Sequence, residues 1–224
     1  MGKPLMSIGW ILAAEAPNTV VRSAYDDARR ALLTLLEEQF PQFQWQMAIQ
    51  QEYRYPNYGL LEPLPLLELG VHEKLSRAWD FALVLVPNEL CPRARTFTIG
   101  IPSSALEVAV LSSARLGPPE QLSERIAALA LHLLGHVWGL EHQDDSPMCP
   151  PEACESLLLQ PFLAQQQQHA TQRLIEVADA RVEEETPEMG RLRFYWRSLW
   201  ADPIGAMTDI WGWRRGACRF AWAA

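Results

Sequence analysis

An α/β or α+β fold is predicted for this chain, because segments of helical periodicity alternate with short apolar segments of strand length. The chain has 224 residues, of which 49% are hydrophobic and 21% are charged. Such a chain can bury a sizeable core and is not typical of a disordered protein. The predicted order is strand, helix, strand, strand, two further strands and helix, in a domain that ends near residue 150.

The first quarter of the chain predicts a strand, a helix and a second strand. Residues 7–14 are mostly apolar and are predicted to form the first strand. Asn18 is a typical helix cap, and the apolar positions after it recur at helical spacing up to about Gln39. Residues 43–49 then alternate apolar and polar side chains, which is the period of a half-buried strand.

The next segment is rich in proline and then strongly apolar. Residues 53–69 hold three prolines and are predicted to form an irregular loop, with a short helix near residues 73–78. Residues 81–86 form an almost unbroken apolar run that ends at Pro87. Such a run predicts an interior strand covered on both faces.

Two short strands and a long helix complete the predicted domain. Residues 96–101 and 106–111 are β-prone and are separated by a predicted turn at residues 102–104, which indicates the margin of a sheet. The segment from Ser123 to about Leu140 is rich in alanine and leucine, and its composition predicts a helix.

Charge and composition exclude several classes of function. The net charge is −8 and the isoelectric point is near 5.2, which argues against nucleic acid as a partner. No stretch approaches the roughly 18 to 20 consecutive apolar residues that cross a bilayer, so no transmembrane span is predicted. The four cysteines are too few for a disulfide scaffold, and a cytoplasmic location is expected.

Three of the five histidines fall within eleven residues, at His132, His136 and His142. His132 and His136 are four positions apart, so on a helix their imidazoles lie on one face and both reach one metal ion. Gly139 permits the left-handed conformation that ends a helix, and the turn brings His142 in as a third ligand. Three neutral imidazoles with a vacant fourth position predict an open site for one Zn²⁺.

A core helix with incidental histidines is the plainer hypothesis for the same residues. Three unpartnered imidazoles buried beside Leu131, Leu134 and Leu140 would cost free energy unless a metal or hydrogen bonds satisfied them. The metal hypothesis is therefore preferred.

Residues 132–142 resemble the metzincin zinc-peptidase signature H-E-x-x-H-x-x-G-x-x-H, and Met148 corresponds to the methionine turn beneath the metal. Residues 139–145 look like matrixin sequences, whereas residues 98–100 and 109–116 are closer to the archaemetzincins. The resemblance covers about residues 7–150. It implies a zincin-like fold, with a mixed twisted sheet, a backing helix and an active-site helix.

Leu133 stands where active members of this family carry the glutamate that takes a proton from the zinc-bound water. Leucine cannot move a proton, and proton shuttling is worth about 100- to 10,000-fold in rate. The resemblance therefore implies a degenerate peptidase centre, in a pseudopeptidase or very weak peptidase that recognises an extended polypeptide by strand addition.

The alternative is an active zinc metallopeptidase that uses a substitute general base. Glu107 is the first candidate, because it is expected on the strand that lines the substrate cleft in metzincins. The other carboxylates considered are Glu124, Glu141, Asp144 and Asp145.

The cysteines and the C-terminal segment indicate function less specifically than the three histidines do. Archaemetzincins are expected to bind a second zinc through four cysteines, but this region holds Cys149 and Cys154 alone, so that second site is not carried over. Residues 151–224 are predicted to form a helical extension, with an apolar stripe over residues 163–182. Residues 190–224 carry five of the nine tryptophans and six arginines. They are expected to pack on the domain, to cover the zinc cleft, or to contact a protein partner or membrane surface.

Overall fold

A computed structural model describes residues 2–15, 19–56, 58–91, 98–150 and 157–184 of the chain. In these ranges five strands form one sheet in the order β2-β1-β4-β7-β6, and β3 pairs with β5 in a second sheet. The strands are β1 (Leu5–Ala13), β2 (Gln44–Glu52), β3 (Leu60–Leu61), β4 (Phe81–Val86), β5 (Glu89–Leu90), β6 (Gly100–Ser103) and β7 (Val108–Ser112). The helices are α1 (Thr19–Gln39), α2 (Pro63–Ser76), α3 (Pro119–Val137) and α4 (Ala164–Glu184).

The centre of the large sheet is parallel. β1 lies between β2 and β4, and Ile8 is paired with Met47 on one side and with Phe81 on the other. All six residues of β4 are buried, as its continuous apolar sequence predicts. The predicted interior strand at residues 81–86 is therefore confirmed.

Each face of the sheet is covered by helices. Along β1, Met6, Ile8 and Trp10 belong to a buried cluster with residues of α1 and α3. The alternate residues Ile11 and Ala13 belong to a second cluster with residues of α2. This alternation follows from the two-residue period of a strand, and it confirms an α/β fold with helices on both faces of the sheet.

β6 is antiparallel to β7 and is the terminal strand of the large sheet. It contains Pro102 and Ser103, so the turn predicted at residues 102–104 is wrong at these two positions. The amide of Ser112 donates to the carbonyl oxygen of Ile99 at 2.8 Å. By antiparallel alternation the backbone groups of Gly100 and Pro102 then point away from β7. Proline is tolerated there because no ladder donor is needed at that position.

The predicted loop at residues 53–69 is wrong in its second half, where α2 begins at Pro63. Both Pro63 and Pro65 lie in the first turn, where backbone amides have no acceptor within the helix. A proline therefore removes no helical hydrogen bond at these positions. The short helix predicted near residues 73–78 corresponds to the end of α2.

The compact unit that holds the sheet spans Met1–Ala178 and so extends past the boundary predicted at residue 150. Phe162, Ala170 and Leu174 are buried in the same cluster as the sheet and α3. The side chain of Gln39 donates to the carbonyl of Phe162 at 3.2 Å and accepts from its amide at 3.0 Å. Burial and hydrogen bonds therefore both hold the start of α4 on the domain.

The second compact unit, Asp179–Ala224, begins within the last turns of α4. The Trp/Arg-rich segment lies outside the described residues, as do Asn18, Cys154 and Cys218. Within the described ranges, no helix is long and apolar enough to span a bilayer.

Candidate metal centre

The three histidines lie at the end of α3 and in the turn after it. Gly139 has a φ of +84°, and its amide donates to the carbonyl of His136 at 3.0 Å. The amide of Leu140 reaches back to the carbonyl of Gly135 at 2.8 Å. These two bonds are those of a Schellman motif, in which glycine takes the left-handed position. The turn reverses the chain and brings His142 beside the helix, as the spacing predicts.

The Nε2 atoms of the three rings converge. Nε2 of His136 lies 3.1 Å from Nε2 of His132 and 3.0 Å from Nε2 of His142. His132 is 4% exposed, His136 is half-buried and His142 is exposed. The group thus runs from the buried side of α3 to the surface, where a ligand can reach it.

Hydrogen bonds fix the tautomers of the two helical histidines. Nδ1 of His132 lies 2.8 Å from the carbonyl oxygen of Pro147, and Nδ1 of His136 lies 3.0 Å from that of Leu140. Because a carbonyl oxygen only accepts, each Nδ1 carries the proton. In the neutral ring Nε2 then presents a lone pair, which is the arrangement of metal-ligating histidines.

Burial keeps these rings neutral. Desolvation lowers the pKa of His132, and the nearby His142 lowers it further. Desolvation, together with His132 and His142, lowers the pKa of His136 to about 4. Neutral imidazole is the form that binds a metal ion.

The donor set fits Zn²⁺. Zinc–nitrogen bonds are about 2.0–2.1 Å long, so two nitrogens on one ion lie at most about 4.2 Å apart. The separations of 3.0 and 3.1 Å satisfy this limit. Within the part of the chain that the structure describes, His132, His136 and His142 are the one group of potential ligands whose atoms all lie within 4.8 Å of one another.

Met148 lies against the helix that carries the ligands and is fully buried. A Cβ atom at Gly135 would lie 2.2 Å from Sδ of Met148, so the absence of a side chain at Gly135 makes room for the methionine. Met148 thus packs against α3 at Gly135, which lies between His132 and His136 in the sequence.

Leu133 faces the edge strand β6. Its side chain is 3% exposed, and its Cδ1 and Cδ2 atoms lie 2.8 and 2.9 Å from where a Cβ of Gly100 would stand. Any larger residue at position 100 would therefore displace this leucine. The position beside the first ligand is filled by a tightly packed hydrocarbon that has no atom able to accept a proton.

Glu107 lies in the turn before β7 rather than on the strand, and its φ is +57°. One carboxylate oxygen accepts from Nζ of Lys74 at 2.8 Å, and the other accepts from Arg173 at 3.3 Å. Both oxygens are thus used in ion pairs that join this turn to α2 and α4. The other carboxylates considered from the sequence, Glu124, Glu141, Asp144 and Asp145, are exposed.

The loop after the third ligand is closed by its own hydrogen bonds. The hydroxyl of Ser146 donates to the carbonyl of Gln143 at 2.8 Å and accepts from the amide of Met148 at 3.1 Å. Gln166 of α4 also bonds to this loop, and sequence analysis missed it. The available signal is the polar run at residues 165–169, which interrupts the predicted apolar stripe over residues 163–182.

Neither described cysteine is bonded to another. Cys91 is partly exposed, Cys149 is exposed, and both are free thiols. A disulfide between these two cysteines is therefore not present, and neither sulfur belongs to the converging group of ligand atoms.

The fold is a zincin-like α/β fold. Solved structures with this fold include the archaemetzincin of Methanopyrus kandleri, with a TM-score of 0.59, 20% identity and coverage of 76% of this chain and 96% of that one. A zinc-dependent peptidase from Methanocorpusculum labreanum has a TM-score of 0.54 and 16% identity, over 73% and 99% of the two chains. The archaemetzincin of Archaeoglobus fulgidus, solved with malonate, has a TM-score of 0.51 and 16% identity over the same shares.

These likenesses confirm the predicted fold class. No protein-family model matches the sequence, and no curated protein matches it. The similarity to archaemetzincins and zinc-dependent peptidases is therefore a similarity of fold, to which the histidine group adds a possible metal site.

Proposed function

We propose that this chain binds one Zn²⁺ through His132, His136 and His142, and that it is a metzincin-like pseudopeptidase or a very weak peptidase. The observation that carries the proposal is the convergence of the Nε2 atoms at 3.0 and 3.1 Å, while Nδ1 of both helical histidines donates to a backbone carbonyl. This arrangement leaves lone pairs facing one another, which a cation stabilises. When bound, zinc supplies Lewis-acid polarisation of a carbonyl group.

The degenerate character of the centre is supported by Leu133. Its side chain packs against Gly100 and itself has no atom that can accept a proton. Loss of a general base removes about 100- to 10,000-fold in rate. The site would therefore keep its affinity for a metal and for a carbonyl-bearing ligand while hydrolysis is slow or absent.

An extended polypeptide is the ligand that the surroundings favour. β6 is the terminal strand of the described five-stranded sheet, and Leu133 of α3 packs on it. The outward backbone groups of Gly100 and Pro102 offer one amide and two carbonyl groups, since proline has no N–H. A peptide strand added to this edge would form backbone hydrogen bonds there and would lie beside α3.

The alternative of an active metallopeptidase with a substitute base is less well supported at Glu107. Both oxygens of that carboxylate already accept hydrogen bonds from cations. A general base must instead be within reach of the proton that it abstracts.

Metal analysis tests the first half of the proposal. Protein purified without chelators is expected to hold one zinc per chain, and His136→Ala is expected to lose it. Stoichiometric zinc that persists in His136→Ala would contradict the assigned ligands, and wild-type protein that binds no zinc in titration would overturn the site.

Substitution of Leu133 tests the second half. Leu133→Glu supplies a carboxylate, and Leu133→Gln is the matched control because glutamine has nearly the same size and shape as glutamate and is polar but cannot take up a proton. On an unstructured protein substrate, folded and zinc-loaded Leu133→Glu is expected to cleave at least 100-fold faster than either wild type or Leu133→Gln. Equal rates in the two variants would argue against a silenced peptidase centre. Rapid cleavage by wild type that is lost in His132→Ala would favour the active-enzyme alternative.

A further inference from the structure

The loop between the third histidine and Met148 is held from outside by α4. Gln166 is 5% exposed, and its Nε2 donates to the hydroxyl of Ser146 at 3.0 Å and to Oε1 of Gln143 at 3.1 Å. Its Oε1 accepts from the amide of Leu163 at 3.2 Å. The amide group thus has both of its donor hydrogens and its acceptor engaged, which fixes its orientation.

Both loop residues that Gln166 contacts lie close in sequence to the proposed metal ligands. Gln143 directly follows His142, and its amide donates to the carbonyl of Met148 at 3.2 Å. Ser146 directly precedes Pro147, whose carbonyl accepts from Nδ1 of His132 at 2.8 Å. A shift of this loop would therefore move the third ligand and also the carbonyl that orients the first.

We propose that Gln166 is a positioning residue for the metal centre, acting through the loop of residues 143–148. The inference rests on the proposed zinc site and adds to it a support from a helix that follows all three ligands in the chain. Groups that orient metal-ligating histidines commonly change metal affinity by about 10- to 100-fold when removed. Because Gln166 acts through the loop and not on a ring, the lower end of this range is expected.

The experiment compares Gln166→Met with Gln39→Met in the full-length chain. Both glutamines are buried, and both hold the start of α4 through hydrogen bonds of similar length. Gln39 bonds to Phe162 and not to the loop, so its variant controls for a general loosening of α4. Zinc affinity is measured by competition with a chelator, and the visible spectrum of bound Co²⁺ reports the geometry of the ligands.

Gln166→Met is expected to weaken zinc binding about tenfold and to alter the Co²⁺ spectrum, whereas Gln39→Met changes neither. Equal effects of the two variants on affinity and spectrum would overturn the inference. If Gln166→Met does not fold, the double variant Gln143→Ala with Ser146→Ala is measured instead, because it removes both loop atoms that accept hydrogen bonds from Gln166. Unchanged affinity and spectrum in this double variant would then refute the inference. Wild-type protein that binds no zinc would refute the proposed function itself, which is a separate outcome.

Discussion

Replacement of Glu107 by glutamine tests whether this carboxylate supports the fold or serves chemistry. The side chain of Lys74 is 6% exposed and that of Glu107 is 20% exposed, with 2.8 Å between Nζ and Oε2. Removal of one partner from a buried ion pair costs about 3–5 kcal/mol, because the remaining charge stays buried. Partial exposure of Glu107 screens the pair, so Glu107→Gln is expected to lower the free energy of unfolding by about 3 kcal/mol.

The assay is urea unfolding of wild type, Glu107→Gln, Lys74→Met and the double variant, which together form a double-mutant cycle. The double variant buries neither charge and should be at least about 2 kcal/mol more stable than Glu107→Gln alone. Asp27→Asn is the matched control, because its ion pair with Arg30 is exposed and is worth less than about 1 kcal/mol.

A Glu107→Gln protein within about 0.5 kcal/mol of wild type would refute the structural role, since ordinary surface substitutions fall in that range. A double variant that is no more stable than Glu107→Gln would also refute the structural role of Glu107. If Glu107 were the substitute base, its replacement would instead reduce peptide cleavage about 100-fold or more without this loss of stability.

Two further predictions concern the effect of zinc on stability and the loss of stability at alkaline pH. Zinc at about 100 times its Kd should raise the free energy of unfolding by about 2.7 kcal/mol. Removal of zinc by a chelator should therefore lower the Tm by about 5–10 °C in wild type and not in His136→Ala. Calorimetry measures both Tm values, and equal shifts in the two proteins would contradict the site. Burial raises the pKa of Tyr25, whose hydroxyl lies 2.8 Å from that of Ser113. The folded state therefore keeps this proton while the unfolded chain loses it near pH 10, and stability should fall as the pH rises above about 10. Urea unfolding at pH 9 and pH 11 should show a smaller fall in Tyr25→Phe than in the exposed control Tyr53→Phe, and equal falls would disprove the assignment.

Local sequence patterns were sufficient for the elements whose burial is regular. The alternation over residues 43–49, the continuous apolar run of β4 and the helical spacing in α1 each reflect one periodicity and one buried face. The histidine site was equally local, because the four-residue helical spacing and a left-handed Gly139 together determine where three imidazoles lie. Such features need no knowledge of the rest of the chain.

The missed features depend on contacts between distant segments. Pro63 and Pro65 indicate a loop unless the start of a helix is known to lie there, and Pro102 indicates a turn unless its strand is known to be at an edge. Gln166 is separated by 20 residues from Ser146, which it contacts. Its place in a polar run indicates capacity for hydrogen bonds but not which distant residues its amide contacts.

The chain order of the site has a consequence for synthesis. Gln166 follows His142 by 24 positions, so a growing polypeptide exposes all three imidazoles of the proposed zinc site before the helix that contacts their loop has been made. Domains generally fold as units, and N-terminal domains fold first during synthesis. A nascent chain that stops at Met148 would hold His132, His136, His142 and Met148 itself, yet it would lack α4 and so the amide of Gln166 that contacts residues 143–148.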